Sequence, residues 1–382
     1  MRIGIDARFY GSLGKGLGRY TEKLITQLER LDDAVEYVIF LRRENFDEYQ
    51  PKSRRFKKIL ADYPWYGWRE QILFPRLLKE QRLDLIHFPH FNVPFLVRIP
   101  FIVTIHDLIL LHYPTVKASE LPPFLYWLKY IVYRFVISAA VRRARAIITV
   151  SRFTETDLET AYPVARGKVT VTLEAADDFC HWIHPTKEQA FLESLELCEF
   201  DQTPGVTRLK PFVLYVGNAY PHKNLGLIIK LAKHFPELTF LCVGKEDFFY
   251  RTFHHEVESA GCNNIRLVGY VDDRSLGSLY RRASAYIFPS LYEGFGLPGL
   301  EAMTYGTPVV AARAGSLPEI YAEAAYFFEP DSLPSCSRAL ESALDESDLV
   351  SEQQRTIRFH QADRFSWEPM ARETRELYET VR

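Results

Sequence analysis

At 382 residues the chain is long for one hydrophobic core, so two domains of ordinary size are expected. Apolar residues make up 47% and charged residues 25%, the balance of a soluble globular protein, and a net charge of about −2 excludes a global electrostatic case for nucleic acid. The five cysteines (Cys180, Cys198, Cys242, Cys262 and Cys336) are scattered and lack a C-x-x-C pair, which argues against a zinc site or disulfide framework and for reduced thiols in the cytosol. No apolar run approaches the roughly 18–20 residues of a spanning helix. The opening MRIGIDARF reads as a strand and leaves no room for a signal peptide, so a cytoplasmic protein is expected.

The N-terminal half alternates apolar β-like runs with helical stretches. Strands are expected at Arg2–Ile5, Tyr37–Leu41, Leu85–Phe88, Phe101–Ile105 and Ala146–Val150, with a helix over Tyr20–Arg30 that aligns Leu24, Ile25 and Leu28. This alternation implies a parallel sheet covered on both faces. After the first strand, GSLGKGLGRY places Gly11, Gly14, Gly16 and Gly18 just ahead of that helix, able to bring backbone N–H groups to an anion. The spacing is not the G-x-G-x-x-G dinucleotide fingerprint, so NAD binding is disfavoured. His106 and Asp107 follow an apolar strand, where open α/β sheets carry ligand groups. His87, His90 and His112 lie near similar strand ends and are weaker candidates. From Leu121 to Thr154 there is no acid, while Lys129, Arg134, Arg142, Arg143, Arg145 and Arg152 are interleaved with aromatic and aliphatic residues. That bias suits peripheral contact with an anionic membrane, or a core helix with a solvated basic edge. Trp65 and Trp68 mark a weaker second contact.

Beyond Val171 the pattern breaks. Residues 175–210, with a helix around Lys187–Leu197 and a turn at Pro204 and Gly205, read as the interdomain connection. A second series of strands is expected at Phe212–Val216, Thr239–Val243, Ile265–Val268, Ala285–Phe288 and Pro308–Ala312. Lys223 follows the first of them after a Gly turn, where its ammonium can neutralise a diphosphate. The pairs Asp177-Asp178 and Asp272-Asp273 read as turn residues. The most informative stretch is SLYEGFGLPGLEAMTYGTPVVAARAGSLPEI, Ser290 to Ile320. Glu293 and Glu301 flank a Gly-rich turn that opens a short helix, with Pro298 at its first position and Gly306 and Pro308 ending it. Gly294, Gly296 and Gly299 keep the backbone open to a close ligand. Bare N–H groups at a helix start suit phosphates, and carboxylates suit sugar hydroxyls. Together they describe a site for a nucleotide-linked sugar. The closing FSWEPMARETRELYETV reads as an amphipathic helix.

This stretch resembles the E-x7-E signature of retaining glycosyltransferases of family 4, which have the GT-B fold. The resemblance is carried by aromatic-Pro-Ser, E-G-F-G-L-P, the second Glu, G-T-P-V-V and G-S-L-P-E, and it extends over nearly the whole chain. It implies an α/β protein of two Rossmann-like parallel-sheet domains facing a central cleft. The acceptor domain would cover 1–180, joined by a C-terminal helix at 366–382, and the donor domain 181–365. It implies retaining, metal-independent transfer of a hexose from a nucleoside diphosphate sugar to a hydroxyl of a glycan or lipid-linked acceptor. In that family the leaving phosphate oxygen is thought to take the acceptor proton, so no side-chain base is required. By resemblance His106 sits against the donor sugar, and Gly16 belongs to the loop near the donor phosphates and acceptor. The amides around Phe295, Gly296 and Leu297 bind sugar hydroxyls, Glu293 approaches the hexose, and Glu301 holds the ribose. Lys223 meets the diphosphate, but the family's Arg after Gly217 is here Asn218, which carries no charge. The missing charge then falls to helix N-termini or to a basic residue such as Arg8 or Arg19. The sequence is most similar to mannosyl- and rhamnosyl-type bacterial members that build surface polysaccharides, which puts GDP-mannose first as donor and a UDP-sugar second. No cofactor besides the donor is expected. A sugar-nucleotide epimerase, a phosphorolytic enzyme and a non-catalytic nucleotide-sugar-binding protein remain as alternatives.

Overall fold

The computed structural model describes residues 1–11, 15–31, 34–114, 123–176, 184–200, 207–346 and 348–381. Gly14, the Asp177-Asp178 pair, Cys180, Pro204 and Gly205 lie outside them. The chain forms two compact units, Met1–Glu174 with Ser366–Arg382, and Ala175–Phe365. The division therefore falls at Glu174/Ala175 rather than at 180/181.

The first unit is built on a sheet of seven parallel strands: β1 (Arg2–Asp6), β2 (Glu36–Leu41), β3 (Phe56–Leu60), β4 (Leu85–Phe88), β5 (Phe101–Ile105), β6 (Ala146–Thr149) and β7 (Val169–Val171). Their order is β3-β2-β1-β4-β5-β6-β7, with Ile3 opposite both Tyr37 and Leu85. Every residue of β4, β5 and β6 is buried, as strands covered on both faces must be. The edge strands β3 and β7 are half-exposed and interrupted by polar residues, so no apolar run announces them. The first helix spans Lys15–Leu28, so Gly16 and Gly18 lie inside it and not in a loop before it. Gly18 is required there, because a Cβ would stand 2.1 Å from the Gly11 carbonyl oxygen. The helix Trp367–Thr380 returns to this unit and packs on Lys15–Leu28. A buried chain of hydrogen bonds ties it to the sheet. The Tyr378 hydroxyl lies 2.7 Å from His87 Nδ1, His87 Nε2 lies 2.8 Å from the Thr104 hydroxyl, and Thr104 lies 3.3 Å from the Tyr20 hydroxyl.

The second unit opens with the helix Pro185–Ser194, where a helix around Lys187–Leu197 was expected, and then a short antiparallel pair, β8 (Cys198–Phe200) and β9 (Thr207–Leu209). A six-stranded parallel sheet follows: β10 (Phe212–Val216), β11 (Thr239–Val243), β12 (Ile265–Gly269), β13 (Ala285–Phe288), β14 (Val309–Ala312) and β15 (Ala325–Phe328), in the order β12-β11-β10-β13-β14-β15. The chain moves outward from β10 to β12 and then returns to the other side of β10 with β13. In an open α/β sheet such a reversal leaves a crevice beyond the carboxyl ends of the two central strands, and ligands bind there. In the first sheet the same reversal separates β1 from β4. The expected turn at Asp272-Asp273 is instead a helix start. Asp272 caps the helix Asp273–Arg282 by accepting from the backbone of Arg274 and Ser275. The free cysteines among the described residues are Cys198, Cys242, Cys262 and Cys336. No helix among the described residues is long and apolar enough to cross a membrane.

Candidate functional site

In the second unit the segments after β10 and β13 flank the crevice. Gly217 ends β10 at φ +155°, and the turn Pro221–Lys223 brings Lys223 back toward β13. Its Nζ donates to Glu293 Oε1 at 2.5 Å and lies 5.4 Å from the Phe288 ring centre. Lys223 and Glu293 are thus brought together across 70 positions of sequence. Asn218, the uncharged residue in the expected Arg position, is spent on the turn: its Oδ1 accepts from the Tyr220 backbone and its carbonyl accepts from the Tyr215 hydroxyl. His222 beside Lys223 is buried, and burial together with the Lys223 charge lowers its pKa to about 4, so it is neutral at pH 7.

The acidic loop is clamped from several directions. The Leu291 N–H donates to the His222 carbonyl at 2.7 Å, and the Glu293 carbonyl accepts from both the backbone and the hydroxyl of Ser316. Gly315 must lack a side chain, since a Cβ would stand 2.6 Å from the Glu293 backbone. Gly296 takes φ +103° and caps the helix Leu297–Thr304, where no side chain accepts a capping bond. The helix begins at Leu297, so Pro298 holds its second position rather than its first. The Tyr321 hydroxyl donates to the Gly296 carbonyl at 2.5 Å from beneath. Among the described residues none accepts a hydrogen bond from the backbone N–H groups of Phe295, Gly296 or Leu297. These three amides and the uncapped helix start favour anionic or hydroxyl oxygens. Glu301, buried one turn along, accepts from the Tyr280 hydroxyl at 2.9 Å through Oε2.

In the first unit His106 stands immediately beyond β5, half-buried, under the edge of the Tyr20 ring. Its Nε2 lies 3.0 Å from the Pro89 carbonyl and its Nδ1 3.1 Å from Glu174 Oε1. Glu174 escaped sequence reasoning, because nothing local joins it to a histidine 68 positions earlier. Asp107 accepts from the Ile109 backbone and so holds the following turn. Arg8 is not available as a phosphate ligand. It is fully buried, paired with Asp6 at 2.7 Å and Glu70 at 2.8 Å, and stacked 4.2 Å over Phe74. His87 belongs to the buried network under the C-terminal helix, and His112 pairs with Asp157 at 2.8 Å on the outside. Gly16 is exposed, and beyond its own helix none of the described residues has an atom within 4 Å of where its Cβ would be. Trp65 is consumed by packing, stacked on Phe9 at 4.3 Å with the Arg42 guanidinium 4.4 Å from its ring centre, whereas Trp68 is exposed.

Residues 14–177 match the profile of Glycosyltransferase Family 4, and residues 199–359 that of Glycosyl transferases group 1. The chain is 26% identical to O-antigen chain mannosyltransferase B of Escherichia coli over 96% of both chains. It is 23% identical to O-antigen chain mannosyltransferase RfbU of Salmonella typhimurium, over 89% of this chain and 90% of the relative. Among solved structures, HepE of Anabaena in complex with UDP and glucose superposes with a TM-score of 0.73 at 16% identity, covering 99% of each chain.

Proposed function

The chain belongs to glycosyltransferase family 4, group 1, and has the GT-B fold; from that premise we propose that it moves a hexose, mannose first, from a nucleoside diphosphate sugar to a hydroxyl of a glycan or lipid-linked acceptor. The process it serves is polysaccharide synthesis, as the O-antigen relatives suggest. One observation carries the reading: among the described residues the Phe295–Leu297 amides have no hydrogen-bond acceptor, and they stand beside the Glu293–Lys223 pair on the crevice of the second sheet. The amides and the Lys223 ammonium suit phosphate and hydroxyl oxygens, and Glu293 suits a hexose hydroxyl. Glu301 holds the ribose through its remaining acceptor capacity. His106 and Gly16 belong to the same reaction, His106 at the sugar and Gly16 where the helix start opens toward phosphate and acceptor. Transfer proceeds with retention and without metal: positioning and charge stabilisation of the diphosphate supply the rate. GDP-mannose is the first donor and a UDP-sugar the second. Turnover with GDP-, UDP- and ADP-sugars on a polyprenyl-diphosphate-linked oligosaccharide, followed by NMR of the new anomeric centre, tests this. GDP-mannose-dependent transfer with retention that survives EDTA is expected. Binding of every donor without turnover would favour a non-catalytic binding protein, and release of an epimer would favour the epimerase.

The same reading places the protein at the inner face of an anionic membrane through residues 121–154. The helix Pro123–Arg143 is apolar on both sides: Ile137, Ala140 and Val141 are buried, while Trp127, Leu128, Ile131, Val132 and Phe135 are exposed at helical spacing. Phe124 and Tyr126 of this segment have no described side chains. Lys129, Arg134 and Arg142 are exposed on the same helix. Phe95 and Leu96 are also exposed, on the chain between β4 and β5, which Arg143 holds by donating to the Val97 carbonyl. An exposed apolar surface with basic flanks and no acid suits anionic headgroups over acyl chains. Salt-sensitive pelleting with phosphatidylglycerol vesicles, lost in Trp127→Ser/Phe135→Ser, is expected. Equal recovery with and without vesicles rules the contact out.

A further inference from the structure

Three segments of the first unit meet at the His106 ring: the loop after β4, the end of β5 and the chain beyond β7. The Pro89 carbonyl oxygen can only accept, so the Nε2 that faces it at 3.0 Å carries a hydrogen. The Glu174 carboxylate at 3.1 Å accepts likewise, so Nδ1 carries one as well. We propose that Glu174 is a positioning residue that holds His106 as an imidazolium, with both ring N–H groups directed into the first unit. The claim about protonation stands on these contacts alone; its consequence for rate rests on the glycosyltransferase reading.

The surroundings agree on where the charge sits. Burial pulls the His106 pKa down, but the hydrogen bond and charge of Glu174, the Pro89 carbonyl and the Asp107 carboxylate outweigh it and raise the pKa. Burial, with the His106 charge adding to it, lowers the pKa of His87 and of His90 to about 3, and the Arg8 charge adds further at His90. The Tyr20 ring closes another side edge-on at 4.7 Å, and the Thr154 hydroxyl donates to the His106 carbonyl at 3.3 Å. Glu174 is also the last residue of the first unit, so the pair fixes the point from which the chain leaves it.

An imidazolium has no lone pair and cannot take a proton from an acceptor hydroxyl. His106 therefore offers a fixed positive charge and a fixed shape at the end of β5, and does not act as a general base. Ring 15N shifts of His106, assigned by the loss of signals in His106→Gln, test this in the full chain. Both nitrogens are expected at imidazolium positions at pH 7.5 in the wild type. Glu174→Gln, which has the same shape without the charge, is expected to give a neutral Nε2–H ring, and Glu174→Asp to restore the cation in part. A neutral wild-type ring at pH 7.5, or an unchanged ring in Glu174→Gln, overturns the proposal. On the rate side, Glu174→Gln should lower kcat about ten-fold, about 1.4 kcal/mol, with little change in donor KM. A neutralised ring with unchanged kcat refutes the rate consequence. A wild-type imidazolium in a chain that transfers no sugar refutes the glycosyltransferase reading alone.

Discussion

At the scale of single residues, each carboxylate of the E-x7-E segment already has a protein partner. Glu293 neutralises Lys223, and Glu301 accepts from the buried Tyr280 hydroxyl. Substitutions there touch stability as well as binding. Glu301→Ala removes the acceptor of a buried hydroxyl, which costs about 1–3 kcal/mol. A melting temperature lowered by several degrees is expected, together with donor affinity weakened on the order of ten- to a hundred-fold. Glu301→Gln can still accept from Tyr280, so it should recover most of the stability while leaving affinity low. Calorimetric melting and donor titration on the pair of variants separate the two effects; equal recovery of both would refute the ribose role. Glu293→Ala should act mainly on turnover. Arg8 illustrates the opposite outcome. Its charge is consumed by Asp6 and Glu70 inside the first unit, although it was a candidate to supply the charge missing at Asn218.

At the scale of elements, the helix Leu297–Thr304 depends on Tyr321 more than on its own sequence. No side chain caps it, and the Tyr321 hydroxyl fills the space beneath Gly296 and Gly299. A Cβ at Gly299 would stand 2.2 Å from that hydroxyl. Alanine is the better helix former by about 1 kcal/mol, yet overpacking of this kind costs about 1–3 kcal/mol. Gly299→Ala is therefore expected to lower the melting temperature and to weaken donor binding as the Phe295–Leu297 amides shift. Gly16→Ala meets no atom of another described element within 4 Å and should stabilise its helix by up to about 1 kcal/mol. If Gly16 lies against donor or acceptor, that gain comes with a higher KM, and unchanged kinetics would remove Gly16 from the site.

At the scale of the whole molecule, the C-terminal helix is fastened to the first sheet through His87, which must remain neutral to fit. An unfolded imidazole takes up a proton as pH falls through about 6.5. In the native state burial holds His87 and His90 near about 3 and His222 near about 4. Between these values these three histidines bind more protons in the unfolded chain, so their contribution to stability declines as pH falls from about 6.5 toward 4 and is fully present above about 6.5, whereas His106, whose pKa is raised, contributes with the opposite sign. The urea midpoint should drop over that window, and His87→Gln, after its own loss of stability, should show a shallower slope. An unchanged slope would place the acid sensitivity elsewhere.

The interior strands were legible because their signal is local. β4, β5, β10, β11 and β13 fall at the residues that apolar runs predict, since a strand buried on both faces is apolar along nearly all of its length. Edge strands β3 and β7 meet solvent along part of their length and carry no such run. The Gly-rich acidic loop was also legible, because a tight turn, an open helix start and two carboxylates are written in consecutive residues. Only the tertiary structure decided which charges meet. Strand order sets which loop ends become neighbours, and it pairs Lys223 with Glu293, His106 with Glu174 and Tyr378 with His87. Separations of 70, 68 and 291 positions leave no trace in local periodicity, because contact between strand ends depends on how the chain crosses the sheet and not on its spacing along the sequence.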